Sequence, residues 1–310
     1  AEAGFLTSDD AVRLRRLPES LVVLGGGAVA LEFAQFFARL GTLVTVIQRS
    51  PQLLLDFDAD LADEVEVALA REGIQVYTDT RLLEVRRVAG GREITFEEAG
   101  RVVKVAAGEI LLALGRRPHL AGLYPERAGV ELSPSGHIRT DLHQRTTAPH
   151  VFAAGDVCGP YEIVHLAVQQ GEVAARTLLD PATAAPMDYR LLVNVVFTDP
   201  AAASVGASER QLKAAGVDYR AATYPFNDHG KSMIRGAQEG LVKLIADPAT
   251  GEILGGACVG PEGGELIHEI VVAMAGRMTV GALARVPHYH PTLSEIWTYP
   301  AEELAEKIRG

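Results

Sequence analysis

From Pro18 to Gly115, short apolar runs rich in Val, Ile and Leu alternate with longer stretches of helical period, the order expected of βαβ units on a parallel sheet. LVVL at 21–24 reads as the first strand and the continuous apolar face from Ala28 to Arg39 as a helix. TLVTVI at 42–47 reads as a second buried strand, Asp60 to Arg71 as a charged amphipathic helix, and GIQVYTDT at 73–80 as a third strand. In LLEVRRV, REITFEE and VVKVA the period drops to two, with turn glycines at Gly90-Gly91 and Gly100, which predicts a small antiparallel meander. EILLALG then returns as a buried strand.

Beyond it the pattern weakens. Residues 117–187 are richer in Pro and Gly, carry a predicted short strand at VFAAGD and a helix from Leu166 to Leu178, and end at the linker-like DPATAAP. From there NVVFTD, DYRAATYPF, GLVKLIAD and EILGGACVG alternate as an antiparallel sheet, followed by helices over Glu262–Gly276, Val280–Ala284 and Ser294–Lys307. Three segments follow: an α/β domain over 1–116, a piece of a second α/β domain over 117–187 and an α+β domain over 188–310.

Composition narrows the classes. The 310 residues are 48% hydrophobic and contain no apolar run of the length a membrane helix needs. The formal charge of -11 disfavours a nucleic-acid partner, whose recognition rests on clustered Lys and Arg. Cys158 and Cys258 stand far apart, with neither a disulfide framework nor metal-ligand spacing, so no metal site is expected and a reducing cytoplasm is the default. The opening AEAGFLTSDD has no initiator Met and no secretory pattern, as an internal piece of a longer chain would.

The chemistry starts at LVVLGGGAVALEFA. Gly25 allows the tight turn after the strand, Gly27 lets backbone approach a pyrophosphate, and the small Ala30 permits close helix–strand packing. The helix start at Ala28 and Val29 adds N–H groups and a positive dipole end. Alone, such a string is also an ordinary Gly-rich turn; its strand–turn–helix–strand setting points to a dinucleotide. Binders of NAD end the second strand in an acidic residue, but here it runs into Gln48-Arg49. Arg49 can pair with a 2′-phosphate, which favours NADPH with NADH as the alternative, unless Arg49 is only a solvated loop cation.

With these residues in place the chain resembles the pyridine nucleotide–disulfide oxidoreductases, the flavoprotein family of lipoamide dehydrogenase, glutathione reductase and mercuric reductase. Four ordered blocks carry the resemblance: FLTSDDAVRLRRLPESLVVLGGGAVALEFA, LALGRRP at 112–118, TTAPHVFAAGD at 146–156 and HYHPTLSE at 288–295. The resemblance implies that Gly115 and Arg116 lie by the nicotinamide, that Gly155 and Asp156 hold the ribitol side of FAD, and that backbone near Ala167 faces the flavin. It maps a catalytic base onto His290, its orienting carboxylate onto Glu295, and onto Glu32 a carboxylate that pairs with a lysine near the flavin, a lysine supplied by the part of the family this sequence does not contain. His288 is treated as a neighbour of the motif.

The same resemblance implies a nucleotide domain, the returning segment of an FAD domain and a C-terminal dimerisation domain through which two chains pair. The family's own first G-x-G-x-x-G turn and its C-x4-C redox pair do not occur in this sequence. That implies a missing N-terminal FAD segment, uncovered apolar surface over 117–187, and no turnover by the chain alone. VTVIQRS looks like mercuric reductase whereas HPTLSE looks like lipoamide dehydrogenase and glutathione reductase, so the acceptor stays open between a disulfide and Hg(II). The competing expectation is a non-enzymatic NADPH-binding dimer used for sensing or scaffolding.

Overall fold

A computed structural model describes residues 4–309; the expectation attached to Ala1 lies outside the described residues. The chain divides into two compact units, one made of 1–114 with 193–310 and the other of 115–192. In the first, α1 (Ser8–Ala11) leads into β1 (Ser20–Leu24), α2 (Ala28–Arg39), β2 (Leu43–Ile47), α3 (Ala59–Arg71) and β3 (Gln75–Tyr77). The meander β4 (Arg81–Val88), β5 (Gly91–Glu98) and β6 (Arg101–Ala107) follows, then β7 (Glu109–Leu112). β3, β2, β1 and β7 lie side by side as a parallel sheet, in that order.

The unbroken apolar run in β1 has a direct cause. Leu21 and Val23 pack with Ala30, Leu31, Ala34 and Phe37 of α2 and with Leu61, Val65 and Leu69 of α3, while Val22 and Leu24 pack with Ile94 and Phe96 of the meander. A strand covered on both faces has no position for a polar side chain.

The 115–192 unit contains α4 (Val164–Leu179), two residues longer at its start than expected. VFAAGD forms no strand: only Phe152 bridges, to Arg145, and the chain turns at Gly155 instead. The buried groups of this unit are few and partly polar, among them Val130, Leu166 and Met187 with Gln144 and Gln170.

The rest of the first unit is an antiparallel sheet formed by β8 (Val193–Val196), β9 (Ala201–Gly206), β10 (Arg220–Pro225), β11 (Leu241–Ala246) and β12 (Ile253–Gly260), in the order β10-β11-β12-β9-β8. Two short helices, α5 (Glu209–Ala215) and α6 (Gly230–Arg235), lie in the connections, and α7 (Gly263–Ala275) packs on β12 and β9. After α8 (Val280–Leu283) the helix expected over Ser294–Lys307 is two elements, a 3-10 turn over Ser294–Trp297 and α9 (Thr298–Arg309). Pro300, which has no N–H to donate, is tolerated only in a helix's first turn, so the helix starts afresh at Thr298.

One polar cluster joins the nucleotide half of this unit to the antiparallel sheet. Lys243 on β11, 2% exposed, places Nζ 2.7 Å from Asp60 Oδ1, 2.6 Å from Glu209 Oε1 and 3.5 Å from Asp58 Oδ2. Asp58 also accepts the N–H groups of Glu209 and Arg210 at 3.1 and 3.2 Å, capping α5 from the opposite half. Burial pulls the Lys243 ammonium down, but the hydrogen bonds to Asp60 and Glu209 outweigh it and hold the group above the ordinary lysine value.

Candidate functional site

The turn between β1 and α2 is built as its glycines demand. Gly25 has φ +124° and donates its N–H to the Ile47 carbonyl at 3.0 Å; a Cβ there would lie 2.3 Å from the Ala113 carbonyl oxygen. Gly27 is the N-cap of α2 and has no side-chain cap, and the space where its Cβ would stand is open. The first N–H groups of α2, from Ala28 and Val29 onward, therefore carry no side-chain acceptor, and no acidic residue occupies the first turn. Such unpartnered N–H groups at a helix start can receive an anion. Ala30 is fully buried against the sheet. Gly26 was absent from the sequence expectation although the GGG run contained the signal: its missing Cβ makes room for the side chains of Leu53 and Gln48.

Gln48 continues the chain from β2, with its N–H on the Tyr77 carbonyl and its carbonyl accepting from Thr80. Arg49 beside it is exposed and makes no hydrogen bond or ion pair with the described residues. An exposed guanidinium at the position where NAD binders carry an acidic residue, whose charge would repel a phosphate, is suited to a phosphate.

In the second unit, Gly115 has φ +108° with open space at its Cβ position, and Arg116 is exposed. Gly155 turns with φ +80°, and a Cβ there would press on the Ala167 methyl at 3.3 Å, so this glycine and the start of α4 are in close approach. Asp156 follows with its carboxylate exposed. Gln170, which the sequence did not single out, fixes this loop: fully buried, it accepts the Gly155 N–H at 2.7 Å and donates to the Gly159 carbonyl at 2.6 Å and the Tyr189 hydroxyl at 3.0 Å. Cys158, within the same loop, is pushed up to about 11 by burial, which keeps it a thiol.

Glu32 on α2 is half-buried, and its Oε1 accepts the N–H of Phe197 at 2.9 Å; among the described residues its partner is backbone rather than a lysine.

His290 and Glu295 meet as expected. His290 Nδ1 lies 3.0 Å from Glu295 Oε2 and 3.2 Å from Oε1, the carboxylate side chain is 8% exposed and the imidazole 77% exposed. A carboxylate facing Nδ1 keeps the proton on that nitrogen, leaving Nε2 with a lone pair toward solvent. His288 is arranged differently: its side chain is 8% exposed, Nδ1 donates to the Val286 carbonyl at 2.9 Å and Nε2 lies 2.6 Å from Glu269. Neither of its nitrogens is left to exchange a proton.

A third histidine, His229, lies behind Glu295, with Nε2 3.4 Å from Oε1 and Nδ1 2.9 Å from Ser232 Oγ. Burial holds it below the ordinary histidine range, against the opposing pull of Glu295. Nothing in the local sequence, FNDHGKS, marks it.

Residues 2–171 match the family model of the pyridine nucleotide-disulphide oxidoreductases, and 192–301 match that family's dimerisation domain. The chain is 36% identical over 295 residues to a dihydrolipoyl dehydrogenase of Bacillus subtilis, covering 94% of this chain and 62% of that one. To a mercuric reductase of Streptomyces lividans it is 36% identical over 307 residues, covering 99% and 64%. The crystal structure of LpdA from Mycobacterium tuberculosis superposes with a TM-score of 0.85 at 31% identity, over 96% of this chain and 64% of that one. The chain thus spans less than two thirds of each of these proteins.

Proposed function

The chain belongs to the pyridine nucleotide-disulphide oxidoreductase family, and from that premise we propose that it supplies the nucleotide-binding domain (1–116), the returning flavin-domain segment (117–187) and the dimerisation domain (188–310) of an NAD(P)H-dependent flavoprotein reductase acting on a disulfide or a metal ion. The observation that carries this reading is the open-ended His290–Glu295 pair, a buried carboxylate fixing the tautomer of an imidazole whose other nitrogen is free.

In this reading Gly25, Gly27 and the N–H groups of Ala28, Val29 and Ala30 receive the pyrophosphate, and Gln48 and Arg49 the adenosine end. Arg49 favours NADPH, with NADH as the second candidate. Gly115 and Arg116 serve the nicotinamide side, and Gly155, Asp156 and Ala167 the flavin side. The bound cofactors supply a hydride donor and a two-electron carrier, so that a disulfide takes up two electrons and two protons to become two thiols. His290 gives or takes one of those protons at Nε2, and Glu295 stabilises the imidazolium while His290 holds it. Glu32 is kept as a carboxylate of the flavin neighbourhood. Two chains pair through 188–310, so that His290 serves the other chain's cysteine pair. Four exposed apolar side chains on α4, Val164, Val168, Leu178 and Leu179, support a flavin-domain segment that further chain covers. The two free cysteines fit work in the cytoplasm, and no described helix is long and apolar enough to cross a membrane.

The test is the mass and visible spectrum of the natural protein. A chain longer than 310 residues with a flavin band that NADPH bleaches is the expected result, while the 310-residue chain alone should not turn over. A natural chain that starts at Ala1 and binds NADPH without colour overturns the reductase in favour of a dimeric sensor or scaffold. Arg49→Glu separates the nucleotides: NADPH affinity should fall roughly tenfold or more with NADH affinity kept, since a hydrogen bond to a charged group contributes about 1.5–3 kcal/mol. Unchanged NADPH affinity would remove Arg49 from the site.

A further inference from the structure

Glu295 has two imidazoles against its carboxylate, and only one of them faces solvent. His229 and Ser232 are both fully buried, and His229 is packed edge-on to the rings of Phe226 and Tyr299 at centroid distances of 6.4 and 6.2 Å. Its Nδ1 is occupied by Ser232 Oγ at 2.9 Å. Its Nε2 is buried without a hydrogen bond, 3.4 Å from Glu295 Oε1. A buried N–H that finds no acceptor carries its full desolvation cost, and a closure of a few tenths of an ångström onto Oε1 removes it. On the other side, His290 Nδ1 touches both carboxylate oxygens.

We infer that His229 is a positioning residue for the His290–Glu295 pair: its Nε2–H, aimed at Glu295 Oε1, fixes the carboxylate in the orientation that receives His290 Nδ1–H. The inference rests on the reading of His290 as the acid–base group and adds the part that holds its partner in place.

The tautomers agree along the whole line. Ser232 Oγ–H donates to His229 Nδ1, which puts the His229 proton on Nε2; Nε2–H then points at Oε1, and Glu295 in turn holds the proton of His290 on Nδ1. His229 suits this task as a neutral donor. An imidazolium in its place would compete with a protonated His290 for the one carboxylate, and burial disfavours that charged form. Without His229, Glu295 would keep a single, solvent-exposed partner for a desolvated carboxylate. Such a carboxylate is free to turn and no longer dictates which nitrogen of His290 carries its proton.

The readout is the tautomer of His290, taken from its two ring ¹⁵N shifts in long-range ¹H–¹⁵N spectra of the labelled 310-residue chain at neutral pH. The wild-type chain should show His290 mainly as the Nδ1–H form. His229→Phe keeps the volume beside Phe226 and Tyr299 but removes the donor, and should move His290 to the Nε2–H form. His229→Gln returns an N–H near the position of Nε2 and should restore the Nδ1–H form. His288, held by Glu269, is the internal control whose shifts stay fixed. Where His229→Phe does not fold, Ser232→Ala replaces it: losing the donor to Nδ1 frees the His229 tautomer and should move His290 part of the way. An unchanged His290 tautomer in the folded variant, or a shift in His229→Gln as large as in His229→Phe, overturns the inference. None of these signals needs flavin or acceptor. Failure of the reductase reading shows separately, as a complete enzyme that keeps its activity when His290 is replaced.

Discussion

At Lys243 the cation is buried and three carboxylates close around it, two of them at least a third exposed or nearly so, whereas at His290 the carboxylate is buried and the imidazole stands 77% exposed. The two sites use the same charges with inside and outside exchanged. Lys243 has all three hydrogens within reach of acceptors and nothing left to exchange, which suits a joint between the two halves of its unit. His290 spends one nitrogen on Glu295 and leaves the other exposed, without an acceptor or donor among the described residues. His288, two residues away, shows that a His–Glu pair is not enough by itself: with a carbonyl on Nδ1 and Glu269 on Nε2 it is as closed as Lys243. What distinguishes His290 from these closed sites is the one ring nitrogen left open.

The sharpest way to break this contrast is His290→Gln in the full-length reductase proposed above. Loss of the open nitrogen should lower kcat on the order of 10²–10⁴-fold with folding intact, measured by steady-state rates beside a thermal melt. A variant within a few-fold of wild type would remove His290 from proton transfer.

At the closed site the loss should appear as stability instead. Lys243→Met leaves Asp58, Asp60 and Glu209 facing one another, and urea unfolding should show a cost of about 3–5 kcal/mol. The pH dependence has a defined sign. The folded-state pKa of Lys243 is raised, so its contribution is fully present below the ordinary lysine value of about 10.4 and is lost as pH rises through the higher folded value. The stability gap between wild type and Lys243→Met should therefore stay flat across neutral pH and narrow only in strong alkali; a gap that closes already below pH ~9 would contradict the clasp.

The smallest effect is expected at His288. Replacing it with Gln should cost about 1–3 kcal/mol, the penalty for unsatisfied buried groups, and leave kcat of the complete enzyme unchanged. A kcat loss matching that of His290→Gln would mean that the two histidines act together.

The nucleotide half was legible because its signals are local. LVVL, Ala28–Arg39 and TLVTVI read correctly since a strand buried on both faces and a helix with one apolar stripe differ in period alone. β9, AAASVG, escaped notice although it lies inside the antiparallel sheet, because its small residues carry no alternation. α5 carried a readable mark, Ser208 with Gln211 three residues on, which forms a capping box. VFAAGD looked like a strand by propensity, but Gln170 takes the Gly155 N–H and bends the segment into a loop. Among site residues, Gly25 and Gly27 stand within one turn and could be read directly, while His290 and Glu295 could be named only through the family resemblance. His229 and Lys243 could not: Lys243 meets Asp60 across 183 residues, and no periodicity spans that distance.

The order of amino acids by itself determined the βαβ turn, because that turn depends on residues close enough in the chain for geometry to follow from spacing, and it carried the family resemblance, which in turn implied the pairing of His290 with Glu295. Only the tertiary structure decided which histidine is open, which is sealed and which stands behind the carboxylate. Solvent exposure and long-range hydrogen bonds belong to packed surfaces, and those exist only once distant segments have come together.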